Sequence, residues 1–228
     1  MPLKYQLCVC LASLVWLASP AMAAKVRYGA GIDLHASTWS GNSGGKDDFS
    51  ASRGQLGLQV QAHLNRWIGG LALLAGSYNF ADVKPNTDQP SAKATRYDRV
   101  EWDFIVGYQV WRYVALYGDL KAMGYAWHDN GDNKVNYTGL GLGAQWHYPL
   151  GTRWTVYGNV VVASGSAAMT GVDDALAKAN GFVIGGAYRF DHRLSLLAGI
   201  KQQGMKFNFD QSQEHQVGAL VLGVHFLF

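Results

Sequence analysis

Residues 26–36 read Val, Arg, Tyr, Gly, Ala, Gly, Ile, Asp, Leu, His, Ala, with apolar residues at the even positions and polar residues or glycine at the odd ones. Period-two alternation of this kind places one set of side chains on each face of a strand. It returns at 55–64, where Leu56, Leu58, Val60, Ala62 and Leu64 oppose Gln55, Gly57, Gln59, Gln61 and His63. It returns again at 99–110 and 138–148. Less regular stretches at about 68–80, 113–127, 154–165, 180–190, 194–209 and 215–228 bring the expected total to ten strands, the third being the least regular in phase.

The connections between these stretches alternate in length. Short turns are predicted near Asn65–Trp67, Trp111–Tyr113, Pro149–Arg153 and Asp191–Arg193, and long polar loops over roughly 38–52, 81–96, 128–136 and 166–179, with a shorter one near 210–214. Trp67, Trp111, Trp154 and Leu194 follow one another at 44, 43 and 40 residues, so the chain repeats as hairpins of near-constant length. An even strand count with short turns on one side and longer loops on the other predicts an all-β fold, a closed antiparallel up-and-down transmembrane β-barrel of about ten strands. Aromatic residues are expected in two belts: Tyr28, Trp111, Tyr113, Trp146, Tyr148, Trp154, Phe190, Phe226 and Phe228 at the short-turn side, and Tyr78, Phe80, Trp127, Tyr137 and Phe182 at the long-loop side.

The N-terminus fixes the compartment. Lys4 precedes an apolar run from about Leu7 to Ala18, followed by Pro20 and the small-residue pattern Ala21-Met22-Ala23. These are the parts of a secretory signal peptide, so residues 1–23 are expected to be a cleaved leader and 24–228 the barrel. Cys8 and Cys10 both fall in the leader, leaving the mature chain without a disulfide. Removing the leader takes one of the 19 basic residues, Lys4, and none of the 16 acidic ones, a near balance that argues against a nucleic-acid partner. With 28 glycines, 12 tyrosines and 8 tryptophans against 5 prolines, the composition suits strands.

The chain ends in VLGVHFLF, with Leu220, Leu222, Val224, Phe226 and Phe228 on the lipid face of the last strand. Here it resembles the small bacterial outer-membrane β-barrel proteins, of OmpA transmembrane-domain or OmpW-like layout. Their final strand carries a glycine and alternating aromatics up to a terminal phenylalanine. Gly223, Phe226 and Phe228 match that assembly motif, while Val221 stands where the family has a polar residue. The resemblance implies the outer membrane as location, and outer-membrane lipid, lipopolysaccharide and the barrel-assembly machinery as partners.

Alternation places Asp33, His35, Arg99, Glu101, Asp103, Asp119, Lys121 and Lys201 in the lumen, where they are expected to form an ion network. Counting back from Val110 and Val114 around the turn sets Asp103 opposite Lys121. Ten strands lie close to the limit at which side chains fill a barrel, so a narrow or closed, water-containing lumen is expected. This points to a structural outer-membrane protein or a narrow, porin-like solute channel, without enzymatic activity. Two other classes stay open. Asp33-x-His35 with Glu101-x-Asp103 resembles the residue pairs of omptin proteases, in reversed chain order, and a lipid-A-modifying enzyme is a related possibility. Acidic loops with Asp47, Asp48, Asp82, Asp88, Asp129, Asp132, Asp173, Asp174, Asp210 and Glu214 suit an adhesin or ligand binder. The DNGDN stretch at 129–133 lacks the closing glutamate of a calcium loop, and SGNSGGKDD lacks the Gly-Lys-Ser/Thr ending of a phosphate loop. His63, His147 and His225 sit on separated strands. No metal or cofactor is therefore expected.

Overall fold

The computed structural model describes residues 26–43, 46–80, 95–127, 134–169, 172–209 and 212–228. The leader, its cleavage site and the 129–133 stretch lie outside them. Ten strands form a single closed antiparallel barrel: β1 (Val26–Ser43), β2 (Lys46–Leu64), β3 (Trp67–Phe80), β4 (Thr95–Trp111), β5 (Val114–Trp127), β6 (Lys134–Pro149), β7 (Trp154–Met169), β8 (Val172–Arg189), β9 (Leu194–Asn208) and β10 (Ser212–Leu227). Each strand pairs with its sequence neighbours, and β1 closes on β10 from Gly29 opposite Leu227 to Ser43 opposite Gln213. The Phe228 amide adds a bond to the Tyr28 carbonyl at 2.8 Å, so the last residue is still part of the seam.

Odd positions of β1 face the lumen and even positions face outward, with Ile32 and Leu34 more than half exposed and Asp33 and His35 buried. In a water-soluble barrel that order would be reversed. Leu140, Leu142, Val162, Leu220 and Leu222 continue the apolar outer band around the other strands, which gives the sheet a face suited to hydrocarbon.

Two predicted loops are strand instead. Residues 38–52 and 166–179 lie largely in β1, β2, β7 and β8. The 18 residues of β1 and 19 of β2 exceed the roughly 9–11 that cross a bilayer. Beyond the membrane the outward positions no longer need apolar side chains, so Ser40, Ser50, Ser52, Ser164 and Ser166 break the hydropathy pattern without breaking the backbone ladder. The β4–β5 hairpin also differs in detail. Arg112 and Tyr113 form a two-residue turn, Trp111 pairs with Val114, and Val110 is taken up in a register shift. Above that bulge the expected register holds, with Asp103 opposite Lys121.

The long-loop aromatic belt is corrected. Tyr78, Phe80 and Tyr137 are buried inside the barrel, Phe182 faces lipid, and the Trp127 side chain lies outside the described residues. Alternation explains this, since Tyr137 shares the parity of Gln145 and His147, and Tyr78 and Phe80 share that of Leu74. The short-turn belt is present, with Tyr28, Trp111, Tyr148, Trp154, Phe190 and Phe228 exposed on the outside. At that end Asp191 caps the β8–β9 turn by accepting the Arg193 and Leu194 amides at 2.6 and 2.8 Å, and these bonds hold its carboxyl below the usual range.

Gly223 of β10 stands opposite Asp33. A β-carbon there would collide with the Asp33 carboxylate. Gly223→Leu is therefore expected to weaken the closing seam by about 1–3 kcal/mol, the cost of overpacking. A lower urea midpoint and less heat-modifiable folded band than wild type on gels check this, while unchanged folding would show that the seam tolerates the bulk.

Candidate functional site

The lumen is filled in layers. At the long-loop end, Trp39 of β1 stacks on Tyr125 of β5 with ring centroids 4.7 Å apart, and Tyr78 and Phe80 of β3 meet Trp39 edge-on at 5.2 and 5.3 Å. Phe207 and His215 pack on the far side, 5.2 Å apart, and Met123, Met205 and Val217 complete a water-excluding layer. The Tyr78 hydroxyl finds a partner in the Ser37 hydroxyl at 2.7 Å.

Directly beneath lies a charged layer. Arg99 is 0% exposed and Glu101 1%. The Arg99 Nη2 group donates to Glu101 Oε2 at 2.9 Å and to Gln203 Oε1 at 2.6 Å. Among the described residues its Nε and Nη1 make no geometrically formed hydrogen bond, and its guanidinium carbon lies 5.8 and 5.7 Å from the ring centroids of Trp39 and Tyr125. The ring faces stand where acceptors would otherwise be needed, a cation–π contact that ties the aromatic layer to the charged one. Lys121 reaches both carboxylates, Glu101 Oε1 and Asp103 Oδ1, at 2.5 Å each. Lys201 approaches Glu101 Oε1 at 3.4 Å from β9. Glu101 is thus the hub, receiving three cations from three strands.

Five of the expected network residues meet there: Arg99, Glu101, Asp103, Lys121 and Lys201. Asp119 lines the space below but makes no ion pair among the described residues, and its Oδ1 has no hydrogen-bond partner. Asp33 belongs to a separate group nearer the short turns, where Gln59 Nε2 donates to its Oδ2 at 2.6 Å and His225 Nε2 lies 3.1 Å from its Oδ1. His35 faces the lumen with its Nδ1 unbonded. Below the charged layer a cavity of about 210 Å³ remains, lined by Gln59, Gln61, Asp103, Tyr117, Asp119, Gln145, Asn159 and Lys201. Polar and apolar side chains share its walls, and it has room for several waters.

Sequence reasoning missed the roles of Trp39, Gln203, Tyr125 and Tyr78 as the lid and anchor of Arg99. The signal was present, because Trp39 and Val217 continue the inward parity of β1 and β10. For Trp39 it was hidden by reading 38–52 as a loop; Tyr78, Tyr125 and Gln203 lie on expected strands, but their meeting with Arg99 joins different strands across the lumen.

No protein-family model matches the chain, and no curated protein matches its sequence. Solved structures do match. The outer membrane protease OmpT from Escherichia coli aligns with a TM-score of 0.57 at 10% identity, over 92% of this chain and 99% of that one. An outer membrane channel from Pseudomonas putida F1 aligns with a TM-score of 0.51 at 12% identity, over 91% and 97%. This chain has the fold of the small outer-membrane β-barrels. At such identities the likeness concerns architecture, and a protease and a channel share it.

Removing one partner of a buried ion pair strands the other charge at a cost of about 3–5 kcal/mol. Lys121→Met is accordingly expected to lower barrel stability by that amount. Lys121→Met combined with Asp103→Asn, which keeps Glu101 for Arg99 and Lys201, is expected to recover most of it. Urea unfolding in detergent, followed by tryptophan fluorescence, checks the pair; equal losses in the single and double variants would show that the charges are solvated.

Proposed function

We propose that this protein is an integral outer-membrane barrel whose lumen is closed at rest, a structural envelope component in which conduction is confined to a narrow path that opens only when the plug moves. The observation that carries this reading is the fully buried Arg99–Glu101 pair, bonded to Lys121 and Gln203 beneath the stacked rings of Trp39 and Tyr125. A solute crossing the lumen must break charge-assisted bonds in a dry layer and displace packed aromatics, and both are costly. Outer-membrane placement is supported by the fold, the apolar outer band and the leader-like N-terminus. Entry through the barrel-assembly machinery is supported by Gly223, Phe226 and Phe228 on the closing strand.

The same bonds speak against catalysis at the outer rim. Glu101 and Asp103 are held by Lys121 under the aromatic layer, and both Asp33 oxygens are engaged by Gln59 and His225. Neither acidic set is left to activate a water next to His35. The cavity below the plug, lined by both polar and apolar side chains, is compatible with a channel that opens on demand, which keeps solute transfer as part of the same reading.

Refolded protein in planar bilayers is expected to show no stepwise openings. Trp39→Ala with Tyr125→Ala and Lys121→Ala, which thins both layers, is expected to give discrete small openings. Wild-type openings of porin size would overturn the closed-lumen reading, as would turnover of peptide or lipid A abolished by His35→Ala.

A further inference from the structure

One row of outward-facing residues crosses seven strands without interruption. Phe104 pairs with Leu120, Leu120 with Leu140, Leu140 with Ser164, Ser164 with Lys178, and Lys178 with Lys206, which pairs in turn with Glu214. Strands in a barrel are tilted, so a row perpendicular to them climbs across the membrane. Its members change accordingly, from apolar on β4–β6, through a serine, to charge on β8–β10. Phe104 to Lys178 spans four strand spacings, about 19 Å.

Beside the apolar part of the row lies a furrow of about 610 Å³, walled by Phe104, Val106, Leu120, Leu140, Leu142 and Val162 and reaching Ser164 and Lys178. Its floor is set by Gly118, an outward-facing glycine whose missing side chain leaves open space, with only the Val106 carbonyl 3.9 Å from an added β-carbon. At its upper end two lysines face each other directly across β8 and β9, an arrangement that is unfavourable unless an anion lies between them. Glu214 engages Lys206 at 2.7 Å, while Lys178 has no carboxylate partner among the described residues. An apolar furrow leading upward to an unneutralised cation matches an amphiphile with an anionic head.

We propose that this outer face binds one phosphorylated lipid of the outer leaflet, with its phosphate between Lys178 and Lys206 and an acyl chain in the furrow over Gly118. The assignment rests on the membrane-spanning reading of the apolar face. It goes beyond a general affinity for the leaflet, because it names one place on the perimeter and the side chains that define it. Glu214 competes with the phosphate for Lys206, so neutralising that acid strengthens the site.

The test uses the refolded barrel in detergent with three probes, bisphosphoryl lipid A, its dephosphorylated form and inorganic phosphate, read by native mass spectrometry. Wild type is expected to retain one bisphosphoryl lipid A. Lys178→Gln with Lys206→Gln is expected to weaken it at least tenfold, Gly118→Leu to weaken both lipids several-fold, and Glu214→Gln to tighten the phosphorylated one several-fold. Unchanged retention in the double-lysine variant would overturn the site. So would full competition by inorganic phosphate, which indicates a free-anion site, or a lipid-free dimer, which indicates that a second copy covers the face. Vesicle insertion is measured on the same samples. A barrel that inserts yet fails to retain lipid overturns this proposal alone, whereas a barrel that does not insert overturns the membrane reading and the proposal with it.

Discussion

Backbone pairing in hydrocarbon governs everything else in this molecule. An unpaired amide or carbonyl facing lipid costs several kcal/mol, so the sheet can have no edge and the first strand must bond to the last. From that closure follow an even strand count in an up-and-down chain and a seam that runs from Gly29 opposite Leu227 up to Ser43 opposite Gln213. Closure also turns the usual order of a protein inside out. The apolar positions serve the solvent, and the polar positions must find partners in a lumen about as wide as the side chains it contains.

That confinement makes the ion network. Ten strands leave too little space for hydrated charges to avoid one another, and Glu101, 1% exposed, is tolerable only because Arg99, Lys121 and Lys201 converge on it. Arg99 in turn lies under Trp39 and Tyr125, whose ring faces meet the cation on the side away from Glu101 and Gln203 among the described residues. The two layers depend on each other: without the aromatics the arginine would sit in water and its pair with Glu101 would weaken, and without the arginine the rings would cover an unneutralised carboxylate. The seal is therefore a property of both layers together.

Most of the architecture was legible in the sequence because the barrel depends on a local signal, period-two alternation, and on hairpin lengths that count along the chain. The pairing of Asp103 with Lys121 could be reached by counting because one small bulge at Val110 is all that disturbs the hairpin end. Two kinds of feature escaped. Strand ends beyond the membrane have no apolar outward residues, so hydropathy could not separate Thr38–Ser43 from a loop. Contacts across the lumen, such as Arg99 with Gln203, 104 residues apart, depend on how side chains of different strands meet at the axis, which no single-strand pattern encodes. The belt assignment of Tyr78, Phe80 and Tyr137 failed for a related reason. It used distance from the turn, when parity along the strand decides which side of the wall a ring occupies.

The outer surface and the lumen obey the same geometry with opposite consequences. Inside, cross-strand neighbours of opposite charge, Asp103 and Lys121, cancel in a dry space and lock the barrel shut. Outside, near the long-loop rim, cross-strand neighbours of like charge, Lys178 and Lys206, cannot cancel each other, and Glu214 engages only one of them. Inside, charge is balanced by strands that the chain itself supplies. Outside, Lys178 has no carboxylate to balance it among the described residues, so it is the charge that the proposed lipid phosphate would neutralise.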